Sequence, residues 1–261
     1  MKFKIKNIYF LFFYVLILLY MIYYWIEFDE DAMMAIRDKT IEDDGYCILY
    51  DPKYNDILDH TYNKTDSLNF LKKNVLQELI DGYVFIDYSY EIKNNSLYTF
   101  HRDVTSSQYI YNTDFPVYTC ILYKYDGELL SLCPNSHRTY PFVCSRIINY
   151  SGKSGTCFLF NCEILHAGMP NLYCKDKSII QYKICHKDDL QKLKHLSGIQ
   201  QKYNKECIPF TVYNYFQRKF SYFFEMPINT FFSPFLEKKY EEGSLMGTIQ
   251  SYFSITFYNN N

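Results

Sequence analysis

The chain has 261 residues, of which 48% are hydrophobic, 20% aromatic and 21% charged, a composition that excludes a disordered chain, a collagen and a coiled coil. Its 27 Lys and Arg residues nearly balance its 29 Asp and Glu residues, so the basic excess of a nucleic-acid binder is absent. We therefore expect one domain of moderate size with appendages, and no nucleic-acid partner.

The first predicted element is a membrane anchor at residues 8–26, a run without charge, Gly or Pro. A helix of this length spans a hydrocarbon core of about 30 Å. Lysines precede the run and acidic residues follow it. The positive-inside rule thus predicts a single-pass signal anchor with a cytosolic N terminus and a lumenal or extracellular catalytic domain. A signal peptide is the alternative, but no small-residue cleavage site follows the run.

The cysteines and glycosylation sequons bear on the same compartment. The nine Cys residues form no C-x-x-C pair, which argues against a zinc ribbon or a redox dithiol. Acceptor sequons begin at Asn63, Asn94 and Asn149 and are compatible with a lumenal location.

The chain divides into four predicted parts. Residues 1–30 form the stub and anchor, and residues 31–80 a tether with a helix that Ser67 caps and that starts near Leu68. Residues 81–190 are the predicted β core, and residues 191–261 a C-terminal extension. Within the core, short runs rich in Tyr, Val, Ile and Phe alternate with turn residues and predict an all-β barrel or sandwich. The eight runs are 83–88, 97–101, 108–111, 117–125, 129–133, 142–149, 155–160 and 178–186.

The residues that carry chemistry are His101 and Asp103, in the sequence His-Arg-Asp, followed by His166. Residues i and i+2 of a strand point to the same side, so His101 and Asp103 can face one barrel interior. Two imidazoles and one carboxylate form the facial triad of non-haem Fe(II) oxygenases. A second H-x-D sequence, His186 to Asp188, has no suitable downstream histidine and is interpreted as a solvated strand end.

Two further motifs resemble those of phytanoyl-CoA dioxygenase-like enzymes. Residues 126–137 (DGELLSLCPNSH) are similar to the family's NG-x-L-x-x-x-PGSH stretch. Residues 155–171 (GTCFLFNCEILHAGMPN) are similar to its strand that ends in H-x-G-x-x-N. The resemblance covers roughly residues 80–190. It implies a double-stranded β-helix, or jelly roll, with flanking helices, and Fe(II)- and 2-oxoglutarate-dependent oxygenation with O2.

The resemblance also assigns residue roles. It implies that His101, Asp103 and His166 are the iron ligands and catalytic residues. The family places a basic residue, normally Arg, about eleven positions after the second His, to hold the distal carboxylate of 2-oxoglutarate. That position is Lys177 here, with Lys175 as the competing candidate, and a lysine offers a point charge in place of a bidentate fork.

The sequence thus predicts a membrane-anchored Fe(II)/2-oxoglutarate dioxygenase that hydroxylates its substrate and forms succinate and CO2. Small-molecule, lipid, glycan and peptide substrates remain open. The alternative is a non-catalytic, membrane-anchored barrel of the same fold that binds a partner. A zinc hydrolase is disfavoured because no H-E-x-x-H sequence is present.

Overall fold

The structure is a computed structural model that describes residues 5–31, 40–57, 64–94, 97–139, 145–172, 176–204 and 209–236. Its helices are α1 Ile5–Trp25, α2 Lys64–Gln77, α3 Gln108–Tyr111 and α4 Val212–Leu236. Its strands are β1 Glu27–Asp31, β2 Tyr46–Tyr50, β3 Tyr83–Phe85, β4 Tyr88–Lys93, β5 Tyr118–Tyr123, β6 Gly127–Leu132, β7 Ile147–Gly152, β8 Thr156–Asn161, β9 His166–Gly168, β10 Ser178–His186 and β11 Ile199–Asn204.

The strands form two sheets that pack face to face. The smaller sheet has the order β1-β7-β6-β9, and the larger has the order β11-β4-β10-β5-β8-β2, with β3 also paired to β10. Most pairs are antiparallel, but β1 runs parallel to β7 and β11 runs parallel to β4. Buried side chains from both sheets meet between them, among them Ile121 and Phe158 from the larger sheet and Leu130 and Tyr150 from the smaller. This mainly β sandwich is consistent with the predicted jelly roll.

Helices cover the outer faces of both sheets. Leu71 and Val75 of α2 pack against Leu159 and Ile184 on the larger sheet. On the smaller sheet, Tyr222 of α4 packs in one cluster with buried side chains that include Phe100, Cys133 and Ala167. The alternation of side chains along each strand therefore separates one core inside the sandwich from two cores beneath the helices.

Several predicted boundaries differ from the structure. Residues 108–111, predicted as a strand, form α3, which ends where Asn112 takes a left-handed conformation with φ 50°. Residues 97–101 form no strand beyond an isolated bridge at His101. Helix α2 begins at Lys64 and not near Leu68, so Ser67 lies inside it. The sheets also include β1, β2 and β11, which lie outside the predicted core of residues 81–190.

The predicted membrane anchor is wrong, and with it the cytosolic N terminus and the lumenal or extracellular catalytic domain. Within the described part of the chain, no helix has the length and apolarity needed to cross a membrane. At the end of α1, Trp25 stacks on Phe223 of α4 and donates a hydrogen bond to Tyr215.

The described cysteines and the Asn149 sequon are buried, whereas Asn94 is half-buried. The described thiols are free and buried, and they belong to Cys47, Cys120, Cys133, Cys157, Cys162 and Cys185. The Asn149 side chain is also buried, and it accepts a hydrogen bond from Ser131 and donates one to Asp29. A glycan at Asn149 would need this strand to unfold. Asn63 lies outside the described residues.

Candidate metal centre

The two histidines of the predicted triad lie opposite each other across an antiparallel bridge. The His101 N–H donates to the His166 carbonyl at 2.9 Å, and the His166 N–H donates to the His101 carbonyl at 3.0 Å. Side chains of such a directly opposed pair lie on the same face. The two ring centroids are accordingly 4.3 Å apart. Backbone pairing therefore brings together two residues that are 65 positions apart in the chain.

In both imidazoles, Nδ1 forms a hydrogen bond with a backbone carbonyl. His101 Nδ1 lies 2.9 Å from the carbonyl oxygen of Thr99, and His166 Nδ1 lies 2.9 Å from that of Ile164. A carbonyl oxygen only accepts hydrogen bonds, so Nδ1 carries the proton in both rings. The Nε2 lone pairs are then available as ligands, the arrangement that metal-binding histidines adopt.

The Asp103 carboxylate, two residues after His101 in the chain, lies next to the two imidazoles. Its backbone N–H donates to the Cys162 carbonyl at 3.0 Å, and a 3-10 turn over Val104–Ser106 follows directly. Asp103 Oδ1 lies 3.8 Å from His166 Nε2. One ligand atom from each of His101, Asp103 and His166 lies within 4.8 Å of the others. One divalent ion can contact all three after small side-chain rotations, since such bonds are about 2.0–2.2 Å long.

Burial and charge set the protonation of this group. Burial lowers the pKa of His101, and burial together with the neighbouring His101 lowers the pKa of His166 to about 3. Burial would raise the pKa of Asp103, but the Lys183 ammonium and the two imidazoles hold it well below its usual range. At neutral pH the site therefore offers two neutral imidazoles and one carboxylate, the form in which these groups bind a metal.

Arg102, between the two predicted ligands, points away from them. Its guanidinium donates a hydrogen bond to the Ser136 carbonyl at 2.7 Å and lies 3.6 Å from the Glu163 carboxylate. Both side chains of this ion pair are only 3% exposed. The Glu163 carboxylate also accepts a hydrogen bond from Ser107. This buried pair anchors the segment that carries His101 and Asp103 to the loop before β9.

Lys177, the predicted partner of the distal carboxylate, is buried immediately before β10. Its Nζ lies 3.4 Å from the Met169 carbonyl oxygen and 3.5 Å from that of Pro170. It also lies 5.1 Å from the centre of the Tyr125 ring. Both carbonyls lie directly after β9, so Lys177 contacts the segment that follows the strand beginning at His166. Lys175 lies outside the described residues.

Lys183 is the residue at this site that the sequence interpretation missed. Its Nζ lies 2.7 Å from Asp103 Oδ2, and its side chain is 0% exposed. Lys183 also donates to the Thr119 hydroxyl at 2.8 Å, and that hydroxyl donates to Asp103 Oδ2. The available signal was the alternation of side chains along a strand. Lys177 directly precedes the predicted strand 178–186 and lies six residues before Lys183, so both side chains are expected on one face.

The second H-x-D sequence lies away from the triad. His186 Nδ1 accepts a hydrogen bond from the Asp188 backbone and lies 3.2 Å from the Asp188 carboxylate. The His186 ring stacks on Phe115 at 3.9 Å, and the residue is buried. The interpretation of His186 as solvated is therefore wrong, whereas Asp188 is exposed.

The chain matches no protein-family model and no curated protein. Among solved structures it is similar to the non-heme alpha-ketoglutarate-dependent epimerase SnoN from nogalamycin biosynthesis, with 11% identity, a TM-score of 0.43, and coverage of 70% of this chain and 96% of SnoN. The iron- and alpha-ketoglutarate-dependent endoperoxidase NvfI gives 10% identity, a TM-score of 0.43, and coverage of 59% and 82%. EvdMO1 gives 13% identity and a TM-score of 0.36, and the match covers 54% of this chain and 35% of EvdMO1. The chain thus spans about a third of the length of EvdMO1.

These solved structures include enzymes that use iron and 2-oxoglutarate, which is another name for alpha-ketoglutarate. All three identities are below 25% and all three TM-scores are below 0.5. Membership of the phytanoyl-CoA dioxygenase-like family stays a prediction.

Proposed function

We propose that this chain is an Fe(II)- and 2-oxoglutarate-dependent oxygenase of the phytanoyl-CoA dioxygenase type. In this proposal His101, Asp103 and His166 bind the iron, and Lys177 binds the distal carboxylate of 2-oxoglutarate. The reaction is the hydroxylation of a small-molecule, lipid, glycan or peptide substrate, with formation of succinate and CO2.

One observation carries the proposal. Both imidazoles use Nδ1 to bond a backbone carbonyl at 2.9 Å, which leaves both Nε2 atoms available beside the Asp103 carboxylate. A buried histidine with a purely structural role has no need to keep its second nitrogen free of hydrogen bonds. Two such histidines next to one carboxylate form the donor set of the non-haem iron triad.

The residues of the chain have separate tasks in this reaction. Iron held by the triad, together with 2-oxoglutarate, supplies the activation of O2 and the oxidation of the substrate. Asp103 provides one negative charge to hold the cation. The Phe160 ring, 4.6 Å from the His166 ring and fully buried, excludes water from one side of the site. The Lys177 ammonium, 3.4 Å from the Met169 carbonyl oxygen and 5.1 Å from the centre of the Tyr125 ring, would bind the far carboxylate of a chelated diacid.

Metal binding and co-substrate turnover test the proposal separately. Metal-free protein is titrated with Mn(II) by calorimetry, and succinate is then measured with Fe(II), 2-oxoglutarate and O2. We expect wild type to bind one Mn(II) per chain and to form succinate. His166→Ala removes a ligand, so Mn(II) affinity should fall by more than the roughly 10- to 100-fold that loss of an outer partner costs.

His195→Ala is the matched control. The His195 ring stacks on Tyr111 at 4.2 Å and its Nε2 lies 2.8 Å from the Thr105 carbonyl oxygen, so this histidine has backbone and aromatic partners and is no ligand in the proposal. This variant should keep wild-type affinity for Mn(II). A wild-type protein that binds no Mn(II), or a His166→Ala variant that binds it as tightly as wild type does, would refute the proposal.

A non-catalytic barrel that binds a partner is the second candidate, and one contact favours it. The Lys183 ammonium lies 2.7 Å from Asp103 and already gives this buried carboxylate a positive partner. A triad stabilised in this way persists without a metal ion. Absence of Mn(II) binding in wild type would favour this candidate.

A further inference from the structure

The two oxygen atoms of Asp103 have different surroundings. Oδ2 accepts hydrogen bonds from Lys183 at 2.7 Å, from the Thr119 hydroxyl, and from Gln181 at 3.5 Å. Oδ1 faces His166 Nε2 at 3.8 Å. The donors on Oδ2 therefore turn the carboxylate so that Oδ1 is directed at the two imidazoles. This arrangement favours coordination through a single oxygen.

Lys183 is built into the sandwich and has no route to solvent. Its side chain is 0% exposed, and Thr119, which bridges it to Asp103, is also 0% exposed. The register of β10 against β5 pairs Lys183 with Thr119, so backbone hydrogen bonds hold this contact. The Cys162 thiol lies 3.9 Å from Lys183 Nζ. The Asp103 carboxylate is nearer, at 2.7 Å, and forms an ion pair with this ammonium.

A fixed ammonium changes the charge of the centre. With neutral imidazoles, the formal charges of Asp103 and Lys183 cancel, so the centre with a bound divalent ion has a net charge of about +2. The same triad without a neighbouring lysine would have a net charge of about +1. A surplus positive charge opposes the arrival of a cation and attracts an anion. The two effects have opposite signs for the metal and for the co-substrate.

We propose that Lys183 is a positioning residue that fixes Asp103 through Oδ2 and sets the charge of the centre. It weakens binding of the bare divalent ion and strengthens binding of the anionic oxoacid to the metal-loaded site. This inference rests on the proposed function, since it needs a metal at His101, Asp103 and His166 and an oxoacid on that metal.

The test measures two dissociation constants by calorimetry in the full chain. The first is that of Mn(II) without 2-oxoglutarate, and the second is that of 2-oxoglutarate for the Mn(II)-loaded protein. Lys183→Gln keeps a hydrogen-bond donor for Oδ2 but removes the charge. A unit charge this close predicts a Mn(II) dissociation constant about tenfold lower or more in this variant, and a 2-oxoglutarate dissociation constant about tenfold higher or more.

Lys183→Met removes both the charge and the donor. We expect the same weakening for 2-oxoglutarate but a smaller gain for Mn(II), because the carboxylate is no longer held in place. It also gives a second folded protein to measure, since Met resembles the lysine stem in length and apolarity. Lys187→Gln, at an exposed lysine just after β10, is the charge-matched control and should change neither constant.

Opposite shifts of the two constants cannot arise from a loosened structure, which would weaken both. If both constants rise together in Lys183→Gln, or if neither changes, the role of Lys183 is refuted while the oxygenase proposal stands. If wild type binds Mn(II) but 2-oxoglutarate does not bind the loaded protein, the oxygenase proposal fails, and this inference fails with it.

Discussion

Glu27 joins the first strand to the last described helix through a buried ion pair. Its carboxylate lies 3.2 Å from both Nε and Nη2 of Arg218 and 2.8 Å from Lys219 Nζ. The Glu27 side chain is 17% exposed, whereas those of Arg218 and Lys219 are each 2% exposed. We therefore expect Glu27→Gln to destabilise the protein, because the substitution leaves two buried cations without a counter-charge.

The magnitude follows from the pKa of the carboxyl. Burial by itself would raise the pKa of Glu27, but Arg218 and Lys219 lower it from 4.5 to about 2. At 1.36 kcal/mol for each tenfold change in acid dissociation, this lowering of the pKa from 4.5 to about 2 corresponds to roughly 3 kcal/mol of unfolding free energy. Because the folded-state pKa is the lower one, this stability is present above pH 4.5 and is lost as the pH falls towards 2. Glu27→Gln should thus cost about 3 kcal/mol at pH 7 and progressively less below pH 4.5.

The assay is urea unfolding at a series of pH values, followed by the fluorescence of Trp25, which is the one tryptophan of the chain. Trp25 reports on this junction directly, since Lys219 Nζ lies 5.5 Å from its ring. Glu128→Gln, at an exposed carboxylate, is the control and should leave the unfolding free energy unchanged. A Glu27→Gln cost below about 1 kcal/mol at pH 7, or one that does not vary with pH, would refute this reasoning.

Two further outcomes test the site and its support. Lys177→Ala should raise the 2-oxoglutarate concentration needed for half-maximal succinate formation by about 30- to 1000-fold, the equivalent of roughly 2–4 kcal/mol, with Mn(II) affinity unchanged. Lys175→Ala is the control and should leave this concentration unchanged. If Lys175→Ala raises it and Lys177→Ala does not, the co-substrate contact belongs to Lys175. Gly45→Ala should lower the unfolding free energy by about 2 kcal/mol or more in urea titrations, because φ is +81° there and a Cβ would lie 2.3 Å from His137 Cε1. A cost below about 0.5 kcal/mol would show that the turn relaxes.

The sequence by itself determined the β character of the central region and the candidate ligands. Short runs rich in apolar and aromatic residues, separated by turn residues, mark β5, β6, β8 and β10, because strands that pack into a core need that local pattern. His101, Asp103 and His166 could be selected because the spacing of H-x-D and the flanking motifs are properties of the chain. These features depend on residues close together in sequence.

Only the tertiary structure decided which segments complete the sheets. Strand β1, with the sequence EFDED, has no apolar alternation, yet it pairs in parallel with β7 from the far half of the chain. The apolar run before β1 predicted a membrane anchor, because a hydropathy pattern does not show which side chains pack against another part of the protein. In the structure Trp25, at the end of this run, packs against Phe223. Residues 108–111 include Tyr and Ile, which favour strands, yet they form a short helix. Strand propensity depends on the surrounding structure and does not decide the conformation of so short a segment.

The surroundings of the triad were likewise decided by pairing across the sandwich. Lys183 lies on a predicted strand that is rich in apolar residues, and no neighbouring residue in the sequence indicates that Asp103 is its partner. Pairing of Lys183 with Thr119 on the neighbouring strand brings its ammonium to the carboxylate. A buried charge is costly unless a counter-charge and hydrogen-bond partners face it, and here residues distant in sequence supply both, so the role of Lys183 depends on the three-dimensional arrangement.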